Sequence, residues 1–154
     1  MFLSEFTNGI DAKGRVSVPA EFRTVVAQDP TNCIYVWRSF NGDFLEGGGR
    51  QLIEDYASKI EAMDPYDDNR LAFERVIFGG AKALNFDSTG RVVLPKEFQT
   101  HADLSGSALF VGLNRRFEIW NPEVYRNRHS DDFEVAAQNK RSLGRSLPPQ
   151  GEGS

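Results

Sequence analysis

One cysteine, Cys33, and two histidines, His101 and His129, are all that the chain offers a disulfide or a soft metal. A lone cysteine excludes an internal disulfide framework and a cysteine-based zinc site, and Cys33, beside the apolar Ile34-Tyr35-Val36, reads as a small core residue. The histidines have no ligand pattern near them and read as solvated surface groups, so neither a metal nor any other cofactor is expected. No apolar run approaches the ~18 residues that a membrane span needs. Met1 to Phe22 has no basic start followed by an apolar stretch, so a soluble, cytoplasmic protein without a membrane partner is expected. A positive excess is missing as well: 18 Lys plus Arg face 22 Asp plus Glu, for a net charge of −4. Proteins that coat DNA are usually basic, so any nucleic-acid role must rest on a local patch.

Enzyme motifs are also absent. Gly47-Gly48-Gly49 lacks the Gly-Lys-Ser/Thr that completes a phosphate loop, and reads as a flexible linker. Leu104-Ser105-Gly106-Ser107 lacks the first glycine of a nucleophile elbow and reads as a turn. The carboxylates Glu54, Asp55, Glu61, Asp64, Asp67 and Asp68 cluster on a helix face and its end, where solvation is their ordinary use. No catalytic residue is assigned.

What the chain does have is a repeat. Its 154 residues are 40% apolar and 26% charged, enough for a core in most of the length with room for a polar tail. The segment Asp11-Ala12-Lys13-Gly14-Arg15-Val16-Ser17-Val18-Pro19-Ala20-Glu21-Phe22-Arg23 aligns without gaps on Asp87-Ser88-Thr89-Gly90-Arg91-Val92-Val93-Leu94-Pro95-Lys96-Glu97-Phe98-Gln99, 76 residues further on, with seven of thirteen positions identical. Ile34-Tyr35-Val36 falls on Phe110-Val111-Gly112 at the same offset. Two copies of one supersecondary unit are therefore expected.

Each copy has a physical reading. Ala12-Lys13-Gly14 stands between an apolar run and the alternating Val16-Ser17-Val18, which predicts a hairpin whose Gly14 takes the left-handed conformation. Ser88-Thr89-Gly90 repeats this, with Gly90 in the same role. Pro19 and Pro95 then end a strand and open short helices, over 20–26 and 96–101. Further strands are predicted at 34–37, 108–111 and 116–120. Helical spacing of Leu52, Ile53, Tyr56, Ile60 and Met63, and of Leu71, Phe73, Val76 and Ile77, predicts two helices between the copies. Another is expected from Pro122 to about Arg128. From Asp131 the chain turns polar, with too little apolar surface to offset its ordering entropy, and is expected to be disordered.

The Asp-x-x-x-Arg pairs, Asp11 with Arg15 and Asp87 with Arg91, admit two explanations. As cross-strand ion pairs pinning a hairpin they would contribute about 0–1 kcal/mol each if exposed. As arginine forks oriented by their aspartates at a hairpin tip, with Lys13 beside one of them, they would offer bidentate donors to phosphate or to a guanine edge. Recurrence at matched positions keeps the second explanation open.

Taken together, Met1-Phe2-Leu3 with Glu5-Phe6, the two thirteen-residue segments, Phe78-Gly79-Gly80-Ala81 and Asn114-Arg115-Arg116-Phe117-Glu118-Ile119-Trp120 resemble the bacterial MraZ family, from Met1 to about Tyr125. The resemblance implies an α+β fold: two pseudo-symmetric AbrB/SpoVT-like swapped-hairpin half-barrels in one chain, forming a β-barrel with peripheral helices. Residues 1–76 would be the first repeat with its helical insert, 77–130 the second, and 131–154 the tail. It also implies a nucleoid-associated transcriptional regulator that represses its own division and cell-wall cluster promoter. The partners so implied are double-stranded DNA carrying tandem short G-rich boxes and other copies of the chain, in octameric or dodecameric rings. Lys13, Arg15 and Arg91 then become the DNA-contacting residues, Asp11 and Asp87 orient the arginines, and Gly14 and Gly90 shape the loops. One departure stands out: Thr89 replaces Lys13 in the second copy. The competing reading is a ring-forming interaction module that binds protein and no nucleic acid.

Overall fold

The computed structural model describes residues 1–145. It divides into two units, Met1–Pro122 and the stretch from Glu123 onward. The first holds eight strands: β1 (Glu5–Gly9), β2 (Arg15–Ser17), β3 (Cys33–Arg38), β4 (Leu45–Gly48), β5 (Lys82–Asn85), β6 (Arg91–Val93), β7 (Ser107–Leu113) and β8 (Arg116–Trp120). Four α-helices accompany them: α1 (Ala20–Val26), α2 (Arg50–Glu61), α3 (Asp68–Phe73), which continues into a wider π-helical turn over Glu74–Phe78, and α4 (Lys96–His101). The mixed α+β class and the short helices after Pro19 and Pro95 agree with the sequence reading. In each copy the proline carbonyl accepts the first helical bond, from Arg23 N–H at 3.0 Å and from Gln99 N–H at 3.1 Å.

Four of the six strand ladders cross between the copies, and only β3 with β4 and β7 with β8 pair within one among the described residues. An antiparallel six-stranded sheet runs β1-β7-β8-β4-β3-β5, and a separate two-stranded ribbon joins β2 to β6. The first copy's β1 thus bonds to the second copy's β7, and the second copy's β5 to the first copy's β3. Exchanging β1 with β5, β3 with β7 and β4 with β8 leaves the order unchanged. Val16 lies opposite Val92, its own counterpart in the repeat, and Glu46 lies opposite Glu118. Both pairs therefore mark the line of an internal two-fold. Among the described residues the ladder does not close on itself, so the expected closed barrel gives way to an open sheet and a ribbon.

The core records the same duplication. Val16 and Val92, Val18 and Leu94, Phe22 and Phe98, Val26 and Ala102, and Ile34 and Phe110 are all buried in one cluster. Phe22 meets Phe2, Phe6, Phe110 and Phe117 at ring-centroid distances of 5.2–6.2 Å, a packing in which truncating one such ring to alanine costs about 3–5 kcal/mol. The helices between the copies bring their own small core, with Leu52, Ile60 and Ile77 around Trp37. There the buried carboxylate of Glu46 accepts from Trp37 Nε1 at 3.2 Å and from Ser39 Oγ at 3.3 Å.

Three further expectations are corrected. Gly47-Gly48-Gly49 is no flexible linker: Gly47 and Gly48 end the buried central strand β4, and Gly49 caps α2. A Cβ on Gly47 would stand 2.7 Å from Phe117 Cζ and 3.0 Å from the Tyr35 carbonyl oxygen, so the glycine makes room for an aromatic ring that fills the missing side chain's place. His101 is not simply solvated; half-buried, its Nε2 stands 3.0 Å from the Gly42 carbonyl. The polar stretch after Asp131 carries order as well. In the second unit α5 (Pro122–His129) is followed by α6 (Asp132–Gln138) and α7 (Lys140–Leu143). Acidic residues in the first turn of α6, Asp132 and Glu134, suit the helix dipole, and Ala136 and Ala137 favour helix strongly. The rest of the expected disorder, residues 146–154, lies outside the described residues. No helix among the described residues is long and apolar enough to cross a membrane.

Gly47→Ala is expected to lower the unfolding free energy by about 1–3 kcal/mol through overpacking against Phe117. Chemical denaturation measures this, and a stability unchanged or raised would restore the linker reading.

Candidate nucleic-acid interface

The two hairpin loops are built alike from the backbone upward. Asp11 N–H donates to the Arg15 carbonyl at 3.0 Å and Gly14 N–H to the Asp11 carbonyl at 3.0 Å. The second loop repeats both bonds, from Asp87 to Arg91 at 2.8 Å and from Gly90 to Asp87 at 3.1 Å. Gly14 and Gly90 have φ of +79° and +82°, the left-handed region that glycine enters without steric cost. Both glycines also lie against the opposite copy. A Cβ on Gly14 would stand 2.8 Å from Gln99 Nε2, and one on Gly90 would stand 2.6 Å from Arg23 Cζ. Strand-end bonds reinforce the contact: Leu94 N–H donates to the Gly14 carbonyl at 2.9 Å and Val18 N–H to the Gly90 carbonyl at 3.1 Å.

Each aspartate then organises its loop. One Asp11 oxygen accepts from the backbone N–H of Lys13 at 3.0 Å and of Arg15 at 2.8 Å, and the other accepts from Arg15 Nε at 2.6 Å. Asp87 does the same with Thr89 N–H at 2.9 Å, Arg91 N–H at 2.9 Å and Arg91 Nε at 2.8 Å, and takes a further bond from the Thr89 hydroxyl at 2.9 Å. Donors gathered on a carboxylate favour its charged form. The arginine backbone N–H contributes most at both sites, and holds the Asp11 and Asp87 carboxyls below the usual carboxylate range. Thr89, where the first copy has Lys13, therefore turns its hydroxyl inward and offers no cation.

The arginines are not sealed inside. Both side chains are 34% exposed. Val16 and Val92 point into the core, so the period-two alternation of the ribbon puts Arg15, Ser17, Arg91 and Val93 together on its outer face. There Arg15 is opposite Val93 and Arg91 is opposite Ser17, which makes the two arginines diagonal neighbours. With Nε engaged by the aspartate, the terminal nitrogens of each guanidinium have no partner among the described residues. Lys13 is exposed at the tip of the first loop. Such an end-on fork, held rigidly by its inner edge, suits a phosphate or a guanine edge. An exposed ion pair of this kind contributes little to stability, so orientation is its main effect.

Arg23 and Gln99, which close the floor of the two loops, carry no local sequence signal that marks them as part of the site. They occupy the last, non-identical pair of the aligned segments, and that difference between otherwise matched positions was the available signal.

Comparison with known proteins adds to this geometry. The family model of the MraZ protein, described as antitoxin-like, matches residues 77–146. A protein of Rickettsia canadensis named "Transcriptional regulator MraZ" is 40% identical over 143 residues, 93% of this chain and 96% of that one. Proteins of the same name from Rickettsia felis and Rickettsia bellii are 39% and 40% identical, each over 93% of this chain and 96% of its own length.

Because both aspartate pKa values lie below the unfolded value of about 3.9, their contribution to stability is complete above that value. It is lost as pH falls through the lower folded-state values. Carboxyl carbon NMR should give both midpoints below the ordinary range, and unfolding between pH 7 and about 4 should owe nothing to the loops. A midpoint near 3.9 for either aspartate would contradict the bracing.

Proposed function

The chain belongs to the MraZ family, and from that premise we propose that it is a transcription regulator that binds double-stranded DNA through the outer face of the β2–β6 ribbon. The observation that carries the reading is the pair of carboxylate-braced arginines, Arg15 and Arg91, side by side on one exposed face with Lys13 at the adjoining loop tip. Residues 1–76 and 77–130 act as the two halves of a swapped-hairpin unit, and the crossed pairing of β1 with β7 and of β5 with β3 supports that arrangement. Neither half alone, at about 45 residues of hairpin, helix and strand, reaches the size at which a core is independently stable.

Sequence would be read by the arginine forks on guanine O6 and N7, a contact worth about 1–3 kcal/mol of discrimination per base. The natural targets are tandem short G-rich boxes in the promoter of the chain's own division and cell-wall cluster, which it represses in the nucleoid. One braced arginine pair binds weakly, so affinity comes from several copies of the chain in a ring engaging several boxes at once. Ring assembly also answers the acidic overall charge of −4, since the ribbon faces can line one duplex while acidic surfaces point away. If each subunit neutralises about two phosphates and three or four engage, log K falls with log salt at a slope of roughly −5 to −7.

In mobility shifts on the DNA upstream of the coding region, Arg15→Ala and Arg91→Ala should each weaken binding to the cognate sequence by about ten-fold or more and to scrambled DNA by less. Equal loss on both sequences would reduce the arginines to phosphate contacts. No shift of promoter DNA by the wild-type protein at low salt would overturn the reading in favour of a protein-binding module. In a probe series, binding should fall steeply when boxes are removed or re-spaced, and one box binding as well as three would reject the multivalent mechanism.

A further inference from the structure

The two loops differ in the cations they carry. In the first copy the tip carries Lys13; in the second that position is Thr89, whose hydroxyl is bound to Asp87. The deficit has a counterpart in the floor beneath each loop. Under Gly14 lies Gln99, whose Nε2 donates to the Leu94 carbonyl at 2.9 Å. Under Gly90 lies Arg23, whose Nε donates to the Val18 carbonyl at 3.2 Å. Gln99 and Arg23 are repeat-equivalent, as are Leu94 and Val18, so one bracing bond is made twice by different side chains.

The comparison works as an internal control. Gln99 closes its loop with a single neutral N–H donor, so bracing requires no positive charge. Arg23 makes the same bond and brings a full charge with it, and among the described residues no carboxylate lies within ion-pair distance of its guanidinium. Its terminal nitrogens likewise have no hydrogen-bond partner there. The side chain is half-buried and lines a surface groove of about 410 Å³ with Thr24, Asn32, Asp87, Ser88 and Gly90. A guanidinium without an ion-pair partner at the floor of an open groove has the chemistry to hold an anion. Asp87, the carboxylate on the same wall, is already held by Arg91 and Thr89.

We infer that Arg23 is a DNA-phosphate contact of the second half of the interface, supplying from the first copy the cation that Thr89 leaves out of the second loop. The inference rests on the DNA-binding reading above and deepens it. The contact is to backbone, since Arg23 lies under the loop while Arg15 and Arg91 occupy the outer face of the ribbon. It therefore sets affinity and register and leaves the choice of bases to the ribbon arginines.

The test uses the full chain and the substitution Arg23→Gln, which places under the second loop the side chain that the first already rests on. Binding to cognate and scrambled duplexes should weaken by the same factor, several-fold to about ten-fold, with a salt slope shallower by about 1 per engaged subunit and an unchanged thermal midpoint. The reciprocal variant, Gln99→Arg, should strengthen binding to both duplexes and steepen the slope. If Arg23→Gln lowers the thermal midpoint, Gln99→Arg alone carries the decision. Wild-type binding that is lost in Arg15→Ala yet untouched by Arg23→Gln and Gln99→Arg would overturn this inference and leave the general reading intact. Absence of any wild-type binding would instead overturn the general reading.

Discussion

The antiparallel contact between Arg15–Ser17 and Arg91–Val93 is the constraint on which the rest of the molecule depends. It puts Val16 against its own counterpart Val92 in the core, and by alternation it sends the arginines on either side of that pair outward together. Neither copy could arrange this alone. The glycine of each loop rests on a side chain of the other copy, and among the described residues β1 and β5 have their only strand neighbours across the repeat. Duplication within one chain makes that pairing intramolecular, so no association step is needed to complete the ribbon.

Electrostatics follows from this geometry more than from composition. The chain is acidic overall, and each ribbon arginine even has a carboxylate at its side. Those carboxylates cancel charge on paper, but they also fix the guanidinium plane and leave its far edge outward. A freely rotating arginine would have to be ordered at the moment of binding, a cost of about 0.5–1.5 kcal/mol for a side chain of this kind. The hairpin carries that ordering in advance, through four or more hydrogen bonds on each aspartate and its backbone.

Much of this was legible in the sequence because local signals and the repeat agreed. The helices at 20–26 and 96–101, the hairpin glycines and the aspartate–arginine pairs each depend on residues within a few positions of one another, and each occurs twice. What escaped reading depends on distant partners. Gly47 is a strand residue because the ring of Phe117 takes the space of its side chain, and nothing near Gly47 announces it. His101 is held by a carbonyl 59 residues away. Arg23 looks like an ordinary exposed helix residue until the crossed topology slides Gly90 over it. The helices past Asp131 form for the opposite reason, since good local helix formers such as Ala136 and Ala137 outweigh the scarcity of apolar surface there. The pairing partner of the ribbon was also beyond local patterns: only the 76-residue offset hinted that β2 meets β6.

The most direct test of the central claim is arginine footprinting with a dicarbonyl reagent, read by mass spectrometry with and without promoter duplex. The account predicts that Arg15 and Arg91 are both protected by DNA, while Arg50 and Arg115, exposed and paired with acids elsewhere on the fold, keep reacting. Equal modification of Arg15 and Arg91 in the presence and absence of a duplex that the protein demonstrably binds would contradict it.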